Sequence, residues 1–555
     1  MDPATHTPSD AAPVVPADVT LPEITVKGLA LSVVLAAVLA AANAYLGLFA
    51  GMTVSASIPA AVASMAVLRL FRHSNILENN IVQTAASSGE ALAAGVIFTI
   101  PALLLVGYWH EFHYWQTAAI ALVGGLLGVL FTIPLRRALI VEAALRFPEG
   151  VATAEVLKVG TGTAGFRTLF TAAILGGLVK LGESGVRLWS EAVEGAAHVG
   201  RTIVYAGLNL SPALLAVGFI IGFPTAVVVF LGGALGWLIL LPLYGAVAGV
   251  PADLDGIAAA KTIWSGHIRY VGIGAMLTGG LWTLVQIRGP VWDSLKRLKA
   301  AYGSTAAGSR AGSLPRTERD ASLPWIVLLT LLSLLPMGLL YQHIVGHPAM
   351  AAVMTLVMAV AAFLFAAVAA YMAGLVGSSS NPVSGVTIAT IMLAALLLVL
   401  VLGRGHPAGP AAALLIGAVV CCAAAMGGDN LQDLKTGHLV GSTPWKQQVM
   451  QVVGVGTAAV VIVPVLALLQ AKYGIGEVTA GHPHPLSAPQ ATLMASLATG
   501  VFGEGLPWPL VWLGAMIGIG VILFDRRQER RRSVFRAPVL AVALGIYLPD
   551  RKSVV

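Results

Sequence analysis

The chain has 555 residues, of which 57% are hydrophobic and only 10% charged. A water-soluble domain carries about 25% charged residues, so this one lacks the polar surface that a soluble body of its size needs, and lipid is the solvent that suits it. The net charge of +7 does not mark a nucleic-acid binder, because the basic residues fall in short stretches between apolar runs. Cys421 and Cys422 are adjacent inside an apolar run. Neighbouring cysteines rarely bridge, so burial in a helix is expected rather than a disulfide framework.

Residues 1–26 contain Pro3, Pro8, Pro13, Pro16 and Pro22 and no Lys or Arg. A secretory signal needs a basic start and an apolar core, so this segment reads instead as a disordered cytoplasmic tail. A membrane crossing needs about 20 apolar residues. Residues 28–68 carry no charge and have room for two crossings. Residues 91–110 and 112–135 fit one each, and 165–190 forms a weaker one interrupted by Lys180 and Glu183. Residues 202–252 fit two, with a break at Gly222-Phe223-Pro224, and 270–287 fits one. Residues 321–403 fit three, and 405–428, 447–471 and 505–524 one each. Residues 478–503 lack charge but also strong apolar character, and suit a re-entrant segment as well as a crossing.

The expected fold is therefore all-α, a polytopic integral membrane protein with roughly 12 to 14 transmembrane helices plus re-entrant or broken ones. It divides into membrane halves 27–287 and 324–555 around a cytoplasmic loop at 288–323. Basic loops occur at Arg69 to Arg72, Arg136 to Arg167, Arg288 to Arg319 and Arg526 to Arg536. A cytoplasmic N-terminus followed by a hairpin at 28–71 places all four on the cytoplasmic side, as the positive-inside rule asks. Ala44-Tyr45-Leu46-Gly47 with Ala50-Gly51 is echoed by Ala370-Tyr371, Gly374 and Gly377, the pattern of an inverted repeat.

Polar residues within the spans are the candidate site. An ionised side chain at mid-membrane costs about 2.5–3.5 kcal/mol on insertion scales and usually faces a cavity or a partner. Between Asn75 and Glu90 the helical period puts Asn79, Gln83, Ser87 and Glu90 on one face, beside Glu78. That face offers amides and a carboxylate to a peptide backbone or a proton, or packs through hydrogen bonds against a neighbouring helix. Glu90 lies deepest and is the expected proton-coupling carboxylate. A second cluster begins where the run 405–428 ends, with Asp429, Asn430, Gln432, Asp433, Lys435 and Thr436. Asp429, Gln432, Asp433 and Thr436 share a helical face at the expected cytoplasmic end of that helix. Lys435 is expected to neutralise one of the acids, and a solvated loop with a salt bridge is the plainer alternative. A third feature, Gly377-Ser-Ser-Ser-Asn381-Pro-Val-Ser-Gly385, reads as a broken helix exposing backbone groups to substrate, or as a turn. In a fourth, Pro148 opens a helix with Glu149 and Glu155 near its positive end, which is also the pattern of an amphipathic surface helix.

These stretches carry a resemblance. Asn43 through Tyr45 to Pro59, Glu78 to Glu90, Phe147 to Lys158 and Gly428 to Gln448 resemble the oligopeptide transporter family, in family order and over nearly the whole chain. The resemblance lies closer to its yellow-stripe-like branch. It implies a proton-coupled secondary transporter that moves small peptides or metal chelates toward the cytoplasm, through the inner membrane of a bacterium. The family pattern near Ala541 to Pro549 normally continues into further helices, whereas this chain ends at Val555. The expected partners are the lipid bilayer, a small peptide or metal chelate and protons, with a homodimer open as an assembly. No nucleic acid, cofactor, resident metal or enzymatic activity is expected. A zinc intramembrane protease needs His-Glu-x-x-His, and His110-Glu111-Phe112-His113 has the wrong spacing. An ATP-driven pump needs a P-loop, which is missing. A pyrophosphatase needs many carboxylates around Mg²⁺. A channel would show flux that neither saturates nor follows a proton gradient.

Overall fold

The computed structural model describes residues 13–548 except 52, 54, 72, 160–162, 183–185, 187, 190–191, 211–214, 216–222, 252–253, 280, 283–284, 286–314, 379–382, 477–481, 483–484, 504–506 and 534. Helix α1 spans Val26–Ala50, α2 Ser57–Leu68, α3 Ile76–Leu105, and α4 Tyr114–Arg136 with a π turn at Arg137–Glu142. Helices α5 (Pro148–Val159) and α6 (Thr163–Lys180) follow, then strands β1 (Ala192–Val199) and β2 (Thr202–Asn209). Next come α7 (Phe223–Ala234), α8 (Leu241–Ala248), α9 (Gly256–Ile263), α10 (Leu323–Val345), α11 (Pro348–Val376) and α12 (Val383–Leu402). The last are α13 (Gly409–Val440), α14 (Pro444–Tyr473), α15 (Pro489–Phe502), α16 (Trp508–Arg530) and α17 (Val539–Tyr547). Among the described residues ten helices are long and apolar enough to cross a membrane, so the protein is an all-α polytopic membrane protein.

Three expected boundaries move. The run 28–68 is one crossing and one half-length helix, because Gly51 takes a left-handed φ of 75° and ends α1, and α2 has only 12 residues. The run 202–252 opens with a strand. Gly200, at φ 63°, allows the two-residue turn between paired Val199 and Thr202, and Ile203 and Tyr205 turn inward to be buried. The expected break at Gly222-Phe223-Pro224 coincides with the start of α7 at Phe223. The run 405–428 does not end at its polar cluster. Helix α13 continues to Val440 over 32 residues, so Asp429 lies well inside it rather than at its end. Residues 489–502 form a helix of 14 residues, of re-entrant rather than spanning length.

Helices α3 and α13 are the axis of the fold. They run antiparallel, with Ser87 meeting Asp429 and Gln83 meeting Asp433, and both are buried along nearly their whole length. Small residues permit the close approach, as in membrane bundles generally. A Cβ on Gly95 would sit 2.5 Å from the Cys422 backbone, and one on Gly124 2.5 Å from Val419 O. Their lipid-facing neighbours expose Leu, Val and Trp instead, as α10 does with Trp325, Leu328 and Leu335.

One end of this axis is tied by charges. Residues 13–25 are not a free tail: Val14 and Val15 N–H donate to Leu439 and Val440 carbonyls. Glu23 then reaches the start of α14, accepting from Thr443 N–H at 2.9 Å and Thr443 Oγ1 at 2.6 Å. It also pairs with Lys446 at 3.1 Å and Arg316 at 3.5 Å. Beside it the buried Arg136 grips Asp320 with two bonds of 2.6 and 2.7 Å. A proline-rich segment can order this way because its buried carboxylate is fully compensated, which composition alone does not reveal.

Candidate functional site

Away from that charged end, three helix termini converge on the α3–α13 contact. The first is the N-terminus of α2. Once α1 has stopped at Gly51, the chain presents the Ala56 N–H and the Ser55 and Ser57 hydroxyls to the axis. Ala56 N donates to Glu90 Oε2 at 3.2 Å, and Asn43 Nδ2 donates to Glu90 Oε1. A helix N-terminus carries partial positive charge and uncommitted N–H groups, which suits a carboxylate at this spot. Glu90 lies at the middle of α3 and is 3% exposed.

The second terminus is that of α5. Gly150 N donates to Gln432 Oε1 at 2.8 Å, Gln432 Nε2 donates to Ala373 O at 2.7 Å, and Thr436 Oγ1 donates to Gly150 O at 3.0 Å. Only a glycine fits at 150, since a Cβ there would lie 2.4 Å from Gln432 O. Of the two readings of this segment, a helix start that bears functional acids or an amphipathic surface helix, the first describes Glu149: α5 docks end-on against α13 and carries it to Ser378. The third terminus is the C-terminal end of α11. It stops at Gly377, whose φ is 92°, and Ser378 donates to Glu149 Oε2 while lying within reach of Asp429. Helix α12 resumes at Val383. The helix interruption expected here is present and adjoins the acids, while Asn381 and Pro382 themselves lie outside the described residues.

Asp429 and Asp433 face this convergence from α13. Ser87 Oγ donates to Asp429 Oδ2 at 2.6 Å, and Ser57 Oγ donates to Asp433 Oδ1 at 3.1 Å. Gln83 Nε2 also donates to Asp433 Oδ1. Asp433 Oδ2 is buried with no hydrogen-bond partner. Among the described residues, no salt bridge involves Glu90, Asp429 or Asp433. Lys435, expected to neutralise one of the acids, forms no salt bridge with either aspartate among the described residues. Residues two apart on a helix point to opposite sides, so Lys435 cannot share the face of Asp433. No three His, Cys, Asp or Glu side chains among the described residues come together as a metal site.

The remaining candidates separate cleanly. Asn43, Gln83, Glu90, Asp429, Asp433 and Glu149 meet at the site. Gln432 anchors it through α5 and α11. Asn79 bonds Ser64 of α2 at 3.3 Å through its carbonyl. Asn430 accepts from Ser88 at 2.9 Å on another side of α13. Glu78 is at the foot of α3, held by Lys27 at 3.3 Å and by Thr25. Tyr45 stacks on Phe49 at 5.6 Å in the apolar core. Glu155 pairs with Lys158 at 2.7 Å on an exposed face. Ser378 belongs to the expected helix break, whereas Ser57 had not been singled out; its signal was the serine pair Ser55 and Ser57 just ahead of Pro59 in an uncharged run.

Comparison with known proteins agrees with this architecture. Residues 23–554 match the family model described as OPT oligopeptide transporter protein. A protein of Haemophilus influenzae named "Putative oligopeptide transporter" is 37% identical over 529 residues, covering 89% of this chain and 81% of that protein. An iron-phytosiderophore transporter of Oryza sativa subsp. japonica is 22% identical over 465 residues, covering 72% of this chain and 63% of its own. The chain belongs to the OPT oligopeptide transporter family, and is thus a membrane transporter rather than an enzyme.

Proposed function

We propose that this protein is a proton-coupled secondary transporter that imports small peptides, or chelates with peptide-like amine and carboxylate groups. The observation that carries the reading is the set of buried acids Glu90, Asp429 and Asp433, which have no cationic partner among the described residues. Charge within a membrane costs about 2.5–3.5 kcal/mol per group, so acids left uncompensated there are suited to receive cations: a substrate amine, or protons that accompany it. Broken helices at the same point supply free backbone groups for the substrate, as in other secondary carriers. The name of the Haemophilus influenzae relative supports a peptide substrate. That of the rice relative favours the second reading, a metal chelate.

The charged end that holds Glu23, Arg136, Arg316 and Lys446 is assigned to the cytoplasm. On this reading the N-terminus is cytoplasmic, as the positive-inside rule supports, and the chain works in a bacterial inner membrane, either alone or as a homodimer. Uptake into proteoliposomes of labelled trialanine against a labelled iron(III)–phytosiderophore complex, with and without an inward proton gradient, tests the proposal. The expected result is saturable accumulation of one of them that requires the gradient. Flux that is indifferent to the gradient, or that does not saturate, would overturn it.

A further inference from the structure

The two aspartates of α13 are joined by a continuous chain of oxygen atoms. Asp429 Oδ2 lies 2.6 Å from Ser87 Oγ, Ser87 Oγ lies 2.9 Å from Ser57 Oγ, and Ser57 Oγ lies 3.1 Å from Asp433 Oδ1. All four side chains are buried. They come from three elements: Ser57 opens α2, Ser87 is in α3, and the acids are one turn apart on α13. Every contact in the chain falls within or close to the O–H···O range.

A count of protons shows what this chain lacks. It has three links, and each needs one hydrogen. A serine hydroxyl supplies a single donor, and an ionised carboxylate supplies none. If Ser87 donates to Asp429 and Ser57 donates to Asp433, neither has a hydrogen left for the 2.9 Å contact between them. Two hydrogens therefore leave one link as a close approach of lone pairs, whereas one further proton on either aspartate completes all three. Glu90 stands outside this chain. Its two carboxyl oxygens accept from Asn43 Nδ2 and Ala56 N, and those N–H donors take no proton in return as placed.

We propose that Asp429 and Asp433 share one proton, and that Ser57 and Ser87 relay it between them; this rests on the proton-coupled reading above. The step balances. Asp433 gives its O–H proton to Ser57 Oγ, Ser57 gives its own to Ser87 Oγ, and Ser87 gives its own to Asp429 Oδ2. Each oxygen that loses a hydrogen gains one, except the two carboxylates, which exchange roles. The transfer carries the proton from one turn of α13 to the next past the N-terminus of α2, without water. Of the other charged groups, Glu90 faces this chain from α3 and Glu149 from α5, while Lys435 and His438 lie beyond Asp433 on α13. The contact between α2 and α3 closes the relay, so a movement of α2 that parts Ser57 from Ser87 would open it. The two serines are positioning residues, since the proton they pass resides on the aspartates.

Infrared spectroscopy of the full-length protein in lipid tests the shared proton without any substrate. A carboxylic-acid C=O band is expected at neutral pH in the wild type, lost in Asp433→Asn, and shifted in Ser57→Ala and Ser87→Ala. Ser57→Thr and Ser87→Thr, which keep the hydroxyl, are expected to restore it. Transport then tests the relay with whichever probe the wild type accumulates, labelled trialanine or the iron(III)–phytosiderophore complex. The ratio of gradient-driven uptake to substrate exchange is expected to fall at least tenfold in each alanine variant, and to recover in each threonine variant. An acid band absent from the wild type, or unmoved by both serine variants, overturns the proposal whether or not those variants transport. So does a wild-type ratio of uptake to exchange in Ser57→Ala/Ser87→Ala. A wild type that ignores the proton gradient defeats instead the functional reading beneath it.

Discussion

Glu23 and Glu90 are 1% and 3% exposed, and both accept hydrogen bonds from a backbone N–H at the start of a helix. Their electrostatic settings are opposite. Glu23 sits between Arg316 and Lys446 and also accepts from both donors of Thr443. Glu90 receives an asparagine amide and one N–H, and its charged neighbours are the acids Asp429, Asp433 and Glu149. A buried charge with complete compensation has one favoured arrangement and behaves as a lock. A group of buried like charges without cations has no single favoured state, and its balance shifts when a cation arrives. Burial alone therefore does not identify a functional acid; the sign of its neighbours does.

The comparison predicts opposite defects. Asp433→Asn and Glu90→Gln are expected to lower gradient-driven uptake per folded molecule by about 100-fold or more, the scale of a lost proton-transfer group. Their melting temperatures in detergent should stay within a few degrees of the wild type, because neither change strands a cation. Uptake at the wild-type level in both variants would remove these acids from the mechanism.

Glu23→Gln is expected to do the reverse. It leaves Arg316 and Lys446 without their shared carboxylate and weakens the bonds to Thr443, at a cost of about 2–3 kcal/mol. Chemical or thermal unfolding should show that loss, while uptake normalised to folded protein stays near the wild type. If stability holds and normalised uptake collapses, Glu23 belongs to the transport cycle and the division between lock and site fails.

Gly377→Ala probes the helix break. A left-handed φ costs a non-glycine residue about 1–2 kcal/mol, and the added Cβ would lie 2.7 Å from Glu149 Oε1. Modest destabilisation is expected together with reduced uptake, and Glu149→Ala should relieve part of the former in a double-mutant cycle. Strict additivity of the two changes would show that the contact between the break and α5 carries no strain.

Much of this was legible in the sequence, for reasons that differ by residue. Charge-free runs gave the long helices, since lipid leaves the backbone little choice. The 3.6-residue period put Gln83, Ser87 and Glu90 on one face, and Asp429 and Asp433 on another, and those two faces do meet. What the sequence could not show was where three helix ends converge. Ser57 reaches Asp433 because α1 stops at Gly51, and Glu149 reaches the site because Gly150 lets α5 touch α13. Each depends on contacts between residues hundreds of positions apart. Lys435 illustrates the opposite error. Adjacency in sequence suggested a salt bridge, but the helical rotation between positions 433 and 435 forbids it.

Helix α5 supplies the smallest expected effect and a sharp control. It bears two acids six residues apart, Glu149 at its first turn and Glu155 near its end. Glu149 accepts from Ser378 beside the break in α11. Glu155 pairs with Lys158 across one turn, with side chains 58% and 31% exposed. An exposed pair of this kind is worth no more than about 0.5 kcal/mol, and high salt weakens it further. Glu155→Gln should therefore leave both melting temperature and uptake at the wild-type level. Glu149→Gln should reduce uptake, because it alters the acid that adjoins Asp429. Measured side by side, the two variants distinguish the site from the helix that bears it. Equal losses in both would mean that α5 acts through its overall charge or its docking, and Glu149 would no longer count among the functional acids. A loss confined to Glu149 would tie the effect to the convergence of helix ends, since the two residues share an element and a charge, and differ in what they touch.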